Sequence, residues 1–483
     1  MYKNRCILLA IFLFIWSIFI VSCASSVRET KKPCDGLMVL TNAFNLIEEN
    51  YIDPVDTSLL ANEAVLGMEE HLKSRSKFVS ANHGINFYNS RSERAKALGY
   101  LSSSFNYYVS VADGDPFELQ YAAIEAMVKS LDPYCSYLTP ELYEDLRSFT
   151  RGNYCGIGIE VAMIDGVITV VSPIDDTPAY HAGVEAGDRI IAINGELTAG
   201  FTVNDAFRAL RGPAGTTVTI TIDRNGDRQR KFIIQRKDIT IQSVKHRIME
   251  GGVGYVRVAA FQETTTTELR NALRDIQAAG TLRGIIIDLR NNPGGLLDEA
   301  ITVSDMFLAS GVIVRSEGRA DYTNRTYQAT RDGEEALCPM IILVNRGTAS
   351  ASEVVAFALR DNDKALLFGS RTAGKGTIQS VTELCDGSAL KLTMAKYYSA
   401  KGRAFQETGI IPDLYVGDRK EREKCGVAGD GAGAPNGDGP VFILYEGGSL
   451  DLPLMIAHAA LSRGKGLPGT EELKMLAGQV LNR

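Results

Sequence analysis

Apolar residues recur at helical spacing over residues 40–51, 59–72 and 118–131, so the region from 37 to 149 reads as mainly helical. Two of these stretches contain similar hexapeptides, EAVLGM at 63–68 and AAIEAM at 122–127, which suggests a weak internal duplication. The period then changes. Alternation marks strands at 167–171 and 218–222, separated by glycine- and proline-bearing turns. From 253 onward strands and helices alternate: a strand at 253–258, a helix at 266–279, a buried strand at 284–289 and a helix from 297. The run CPMIILV at 338–344 has the branching of another buried strand, and SASEVVAFALR at 350–360 returns to helical spacing with Val354, Val355 and Ala358 on one side. After 418 the chain turns to charge and then to glycine and alanine, which reads as a flexible linker over 426–439, followed by an amphipathic stretch at 454–461. The expected class is α/β with several domains.

Composition narrows the picture. With 483 residues, 45% of them apolar, the chain can build several real cores. A net charge of −7, with no basic stretch interleaved by aromatics, argues against nucleic acid as a partner. At the N-terminus Lys3 and Arg5 precede an apolar run at 7–21 that is short for a membrane span and suits a secretory signal. The run closes in Ile20-Val21-Ser22-Cys23, which resembles a bacterial lipoprotein box. That resemblance implies a signal over 1–22, a lipid on Cys23, and a membrane-anchored protein of the bacterial cell envelope facing the periplasm or the exterior. An uncleaved N-terminal anchor would also put the body outside the cytoplasm. Of eight cysteines, Cys34, Cys135, Cys155, Cys338, Cys385 and Cys425 remain beside Cys6 and Cys23. None forms a Cys-x-x-Cys pair, so no zinc site is expected, and spacing leaves their pairing open.

The candidate chemistry lies between 345 and 379, NRGTASASEVVAFALRDNDKALLFGSRTAGKGTIQ. Thr348, Ser350 and Ser352 fall at a helix N-terminus, where unpaired backbone N–H groups and the positive dipole end can stabilise an oxyanion. A serine needs a base to become nucleophilic. The five histidines, His71, His83, His181, His246 and His458, all lie outside this segment. Lysine serves when desolvation lowers its pKa, and Lys375 sits in a glycine-flanked loop that can carry it inward. The result is a candidate serine/lysine dyad. A capped helix followed by a surface loop would show the same spacing. The turn Arg290-Asn291-Asn292-Pro293-Gly294-Gly295, between a buried strand and a helix, could supply a further oxyanion donor.

Two resemblances add to this reading. Tyr154-Cys155-Gly156-Ile157-Gly158-Ile159, Pro178-Ala179, Ala182-Gly183 and the run Gly187 to Gly195 resemble a PDZ domain over 151–240. This implies a β-rich unit with short helices whose loop Gly156, Ile157, Gly158 and Ile159 receives a peptide C-terminus. Thr-Ala-Ser-Ala-Ser-Glu at 348–353, followed by Gly-Lys-Gly-Thr-x-Gln at 374–379, resembles the centre of the C-terminal (tail-specific) processing peptidases, the PDZ-containing serine peptidases of family S41. The closing segments 390–398, 402–403 and 409–413 are similar as well. By this resemblance Ser350 is the nucleophile, Lys375 the general base, Gln379 the residue that orients the lysine, and the backbone N–H groups of Gly294 and Ala351 form the oxyanion hole. Arg211, before a Gly-Thr turn, would couple the PDZ domain to the active centre.

The implied architecture is a helical N-terminal region over 23–150, the PDZ domain, a crotonase/ClpP-like α/β serine peptidase core over 241–417, and a linker and C-terminal tail over 418–483. Residues 73–117 look like an insertion into the family's helical segment. The implied partners are proteins or peptides with accessible C-termini and the membrane, with room for a homo-oligomer or an activating partner, and no metal or organic cofactor. The rival readings are a catalytically silent PDZ scaffold and another hydrolase or lyase on the same core.

Overall fold

A computed structural model describes residues 35–75, 92–112, 115–174, 176–201, 203–224, 228–240, 242–331, 338–417, 441–444 and 451–481. The signal, Cys23 and the stretch at 426–439 lie outside the described residues. The chain divides into two compact units.

The first unit is built from α1 (Gly36–Asn50), α2 (Thr57–Ser74), α3 (Glu93–Ala112) and α4 (Pro116–Lys129). Asp56 and Asp115 cap α2 and α4 by accepting the first free backbone N–H groups. The two similar hexapeptides lie on α2 and α4 and face each other. A Cβ on Gly67 would stand 2.5 Å from the Ala122 carbonyl oxygen and 2.6 Å from Ala126 Cβ, so the close approach needs glycine. Within the stretch read as an insertion, Ala97, Leu101, Phe105 and Tyr108 form the buried stripe of α3.

The second unit opens with β1 (Ser136–Leu138), α5 (Pro140–Arg151) and β2 (Asn153–Gly156). The region read as a PDZ domain follows as β3 (Ile159–Ile164), β4 (Val167–Pro173), α6 (Pro178–Ala182), β5 (Arg189–Ile193), β6 (Glu196–Leu197), α7 (Val203–Leu210), β7 (Thr217–Arg224) and β8 (Arg228–Gln235). Its sheet runs β3-β4-β5-β7-β8, with β6 on β5, around Val161, Ile168, Ile190, Val218, Ile220 and Ile222. The strand β9 (Lys237–Thr240) pairs with β2.

The remainder is an α/β layer built from β10 (Val244–Met249), β11 (Val253–Val258), α8 (Thr265–Ala278), β12 (Gly284–Asp288), α9 (Leu297–Asp305), β13 (Val312–Gly318), β14 (Arg325–Gln328), β15 (Met340–Val344), α10 (Ala351–Asp361), β16 (Ala365–Gly369), β17 (Thr377–Glu383), β18 (Ala389–Tyr398), β19 (Leu414–Gly417), β20 (Val441–Leu444), α11 (Leu452–Ser462) and α12 (Thr470–Leu481). One sheet has the order β10-β11-β12-β15-β16-β19-β20, parallel from β11 to β20 with β10 antiparallel at its edge. A second sheet has the order β1-β18-β13-β14, with β17 on β18.

The strands GIIID and MIILV are buried on both faces, as a parallel sheet requires. Ile285, Ile287, Met340 and Ile342 face Leu269, Val303, Val354 and Val355 of α8, α9 and α10. Ile286, Ile341 and Leu343 face Leu452, Ile456, Leu461 and Leu476 of α11 and α12. The residues read as a linker and tail therefore include the strand β20 at the end of the sheet and the helices that cover the sheet's second face. Each such side chain contributes about 1.5–3 kcal/mol by burial.

Candidate active site

Neighbouring parallel strands end in the three segments that the sequence singles out. The carboxyl end of β12 gives the turn at 290–295, that of β15 the serine loop before α10, and that of β16 the loop bearing Lys375. The carboxyl edge of a parallel sheet is where such folds assemble their sites.

Ser350 is the N-cap of α10, with φ 57° and ψ −120°. A non-glycine residue in this sparsely populated region costs about 1–3 kcal/mol, and such strain collects at functional positions. The Ala351 N–H, the first of the helix, has no acceptor among the described residues. Gly294 packs against this corner with φ 101°, and a Cβ on it would lie 2.9 Å from Ser350 Cβ and 3.0 Å from Ala351 N. Its own N–H donates to Asn292 Oδ1 at 2.9 Å, so an oxyanion there must share or displace that acceptor. Asn292 is fully buried, donates to the Val258 carbonyl and accepts the Ala349 N–H on its own carbonyl, stitching the turn to the serine loop.

Lys375 is partly buried, and burial pushes its ammonium below the usual lysine range. The positive charge of Lys391 lowers it further, and Glu353 opposes the fall. Lys375 Nζ lies 5.8 Å from the centroid of the Tyr134 ring. Gln379 donates to the Tyr134 carbonyl at 2.7 Å, and Gln406 donates to the Tyr134 hydroxyl at 3.1 Å while accepting the Gly376 N–H at 2.7 Å. Gln379 thus touches the segment that faces the lysine.

Three contributors carried no role in the sequence reading. Glu353, fully buried, accepts the N–H groups of Ser350 and Lys375 on Oε2, both at 2.9 Å. Its Oε1 takes the Gly374 N–H at 2.8 Å and the Thr372 hydroxyl at 2.5 Å. Burial raises its carboxyl pKa, against the pull of these four donors. The Ser-x-x-Glu spacing of a capping box was the available signal. Tyr134 and Lys391 were visible only as parts of longer segments. Burial pushes Lys391 down as well, while Cys135 and Asp132 hold it up.

In the PDZ region Ile157 and Ile159 point into the core, at 1% and 6% exposure. The carbonyls of Ile157 and Gly158 accept the N–H groups of Ala179 and Ile174. The loop can therefore offer a ligand its backbone, not these side chains. Arg211 lies 5.2 Å from the Tyr154 ring centroid and 5.8 Å from that of Phe207, and pairs with Asp145 on α5.

Peptidase family S41 matches residues 252–416 and the PDZ domain matches 169–224. The carboxy-terminal-processing protease of Bartonella bacilliformis is 44% identical over 313 residues, 64% of this chain and 71% of its own. The chain belongs to peptidase family S41, among the carboxy-terminal processing proteases. Within that family the processing protease CtpA of Bacillus subtilis is 34% identical over 359 residues, 74% of this chain and 72% of its own. Among solved structures, the photosystem II D1 C-terminal processing protease aligns with 79% of this chain and 93% of its own at 27% identity and a TM-score of 0.45. A serine-type peptidase carrying a PDZ domain is thus the identity of the fold and of its general activity.

Proposed function

We propose that Ser350 and Lys375 form a serine/lysine dyad that cleaves peptide bonds in proteins captured by their C-termini in the PDZ groove. The observation that carries this reading is the shared anchorage of the two residues on one oxygen of Glu353. In this mechanism neutral Lys375 takes the Ser350 proton, and Oγ attacks the scissile carbonyl. The N–H groups of Ala351 and Gly294 receive the oxyanion, the latter turning from Asn292. Lys375 returns its proton to the leaving amine and then activates the water that releases the acyl-enzyme. Gln379 steadies the lysine through Tyr134. No metal or organic cofactor enters.

Substrate capture rests on β3, an edge strand of its sheet, which the loop 156–159 leads into. An extended C-terminal peptide adds to such an edge while loop N–H groups take its carboxylate. We also place the protein on the bacterial cell envelope, lipid-anchored at Cys23 and facing the periplasm or exterior. A disulfide at Cys385 suits an oxidising compartment. Incorporation of a labelled fatty acid into the wild type that is lost in Cys23→Ser is the expected result, and an unlabelled wild type would end the lipid assignment.

The deciding experiment compares the full chain in mild detergent with Ser350→Ala and Lys375→Ala on an unfolded protein with an apolar C-terminus, between about pH 6 and 10 to bracket a lowered lysine pKa. Only the wild type should cut, faster as pH rises. Cleavage that survives Ser350→Ala overturns the site. The bond from Gly294 to Asn292 supports a second reading, a silent core that carries a PDZ scaffold, and a wild type inert to an active-site serine probe would favour it.

A further inference from the structure

The turn that carries Gly294 begins at Arg290, whose guanidinium is clamped between two carboxylates. It donates to Asp288 from Nε at 2.9 Å and Nη2 at 2.6 Å, and to Asp451 from Nη1 at 2.7 Å and Nη2 at 2.9 Å. Asp288 closes β12 at 1% side-chain exposure and also accepts the Tyr255 hydroxyl at 2.8 Å. The Arg290 carbonyl is taken by Arg257 Nη2 at 2.9 Å. Both ends of Arg290 are therefore fixed, one inside the sheet and one to a residue beyond the family match at 252–416.

That outer residue does not move freely. Asp451 is the N-cap of α11, accepting the Leu454 N–H, and α11 is anchored by Leu452, Ile456, Ala457, Ala460 and Leu461 in the core. From Arg290 the chain passes to Asn291, which exchanges hydrogen bonds with Asn345 of the serine loop: N–H to Oδ1 at 2.8 Å and Nδ2 to Oδ1 at 2.9 Å. The path from Asp451 to the Ser350 corner thus runs through bidentate and paired hydrogen bonds, which set angles as well as distances.

We propose that the C-terminal segment holds the oxyanion turn in register through Asp451, which makes Asp451 and Arg290 positioning residues for peptide-bond cleavage. The inference rests on the reading in which Gly294 lends an oxyanion donor. A preorganised donor is effective only when it is already aimed at the developing charge, so loosening its supporting turn lowers the chemical step more than substrate binding.

The test uses the full chain as wild type, Asp451→Asn, Asp451→Glu and Ser350→Ala, with a quenched peptide substrate and thermal melts in parallel. Asparagine keeps the helix cap and removes the charge. The expected result is a folded Asp451→Asn with kcat lower by about tenfold, the scale of a small misplacement of catalytic groups, an unchanged KM, and partial recovery in Asp451→Glu. A folded Asp451→Asn with wild-type kcat overturns the proposal, as does a loss that vanishes after correction for the folded fraction. If Asp451→Asn does not fold, Asp451→Ser, which also keeps a helix cap and removes the carboxylate, takes its place, and wild-type kcat in that folded variant overturns the proposal as well. Should wild-type cleavage not depend on Ser350, the catalytic reading itself fails, a result distinct from an active wild type indifferent to Asp451.

Discussion

Gln379 donates its side-chain amide to the main-chain carbonyl of Tyr134, 2.7 Å away, and the ring of that tyrosine faces the Lys375 ammonium. In the proposed mechanism the glutamine acts on the lysine through this aromatic face. Gln379→Leu is expected to lower kcat by at least about tenfold, since a displaced base loses its reach, with KM little changed. Tyr134→Phe keeps the ring and loses only the bond to Gln406, so its activity should stay near wild type. Steady-state kinetics on both variants checks this, and equal losses in the two would contradict it.

Glu353 joins the Ser350 and Lys375 loops through one buried carboxylate. In Glu353→Gln one oxygen becomes an amide that must face N–H donors, and each buried donor left without an acceptor costs about 1–3 kcal/mol. A lower Tm together with loss of serine-probe labelling is expected. Labelling at the wild-type rate would show that Glu353 does not set the Ser350 geometry.

The pH profile tests Lys391. In the proposed dyad the active base is neutral Lys375, so the rate is expected to rise as pH passes through its pKa. Burial lowers that pKa first and the neighbouring Lys391 charge lowers it further. Removing that charge in Lys391→Met makes the protonated form of Lys375 easier to hold, its pKa rises, and the rate limb moves to higher pH with the alkaline plateau retained. An unmoved limb would rule out Lys391 as a tuning charge.

Arg211 already spends its charge on Asp145 and on two aromatic faces. If it senses a substrate carboxylate it must exchange Asp145 for it. Arg211→Ala should then erase a preference for free over amidated C-termini of about tenfold, the worth of one charge-assisted hydrogen bond. An identical preference in variant and wild type would leave Arg211 a surface ion pair.

Much of this protein was legible in one dimension, for local reasons. Strand periodicity placed 253–258 where β11 lies, and β-branched runs marked β12 and β15. Helical spacing placed α1, α2, α4, α8 and α10 within a few residues. The helix α3 went unread because its stripe of Ala97, Leu101, Phe105 and Tyr108 is interleaved with serines and other aromatics. The serine, the lysine loop and the glycine turn stood out because each is a local motif with its own backbone demand.

The sequence by itself determined the elements, the PDZ and peptidase modules, and which residues carry candidate chemistry, since propensity, period and motif act over short stretches of chain. Only the tertiary structure decided that Glu353 holds both loops, that Tyr134 lies between Gln379 and Lys375, and that Asp451 reaches back to Arg290. These are pairings between distant segments. They exist because a parallel sheet brings the ends of β12, β15 and β16 side by side and buries both of its faces, a condition that no single stretch of sequence expresses.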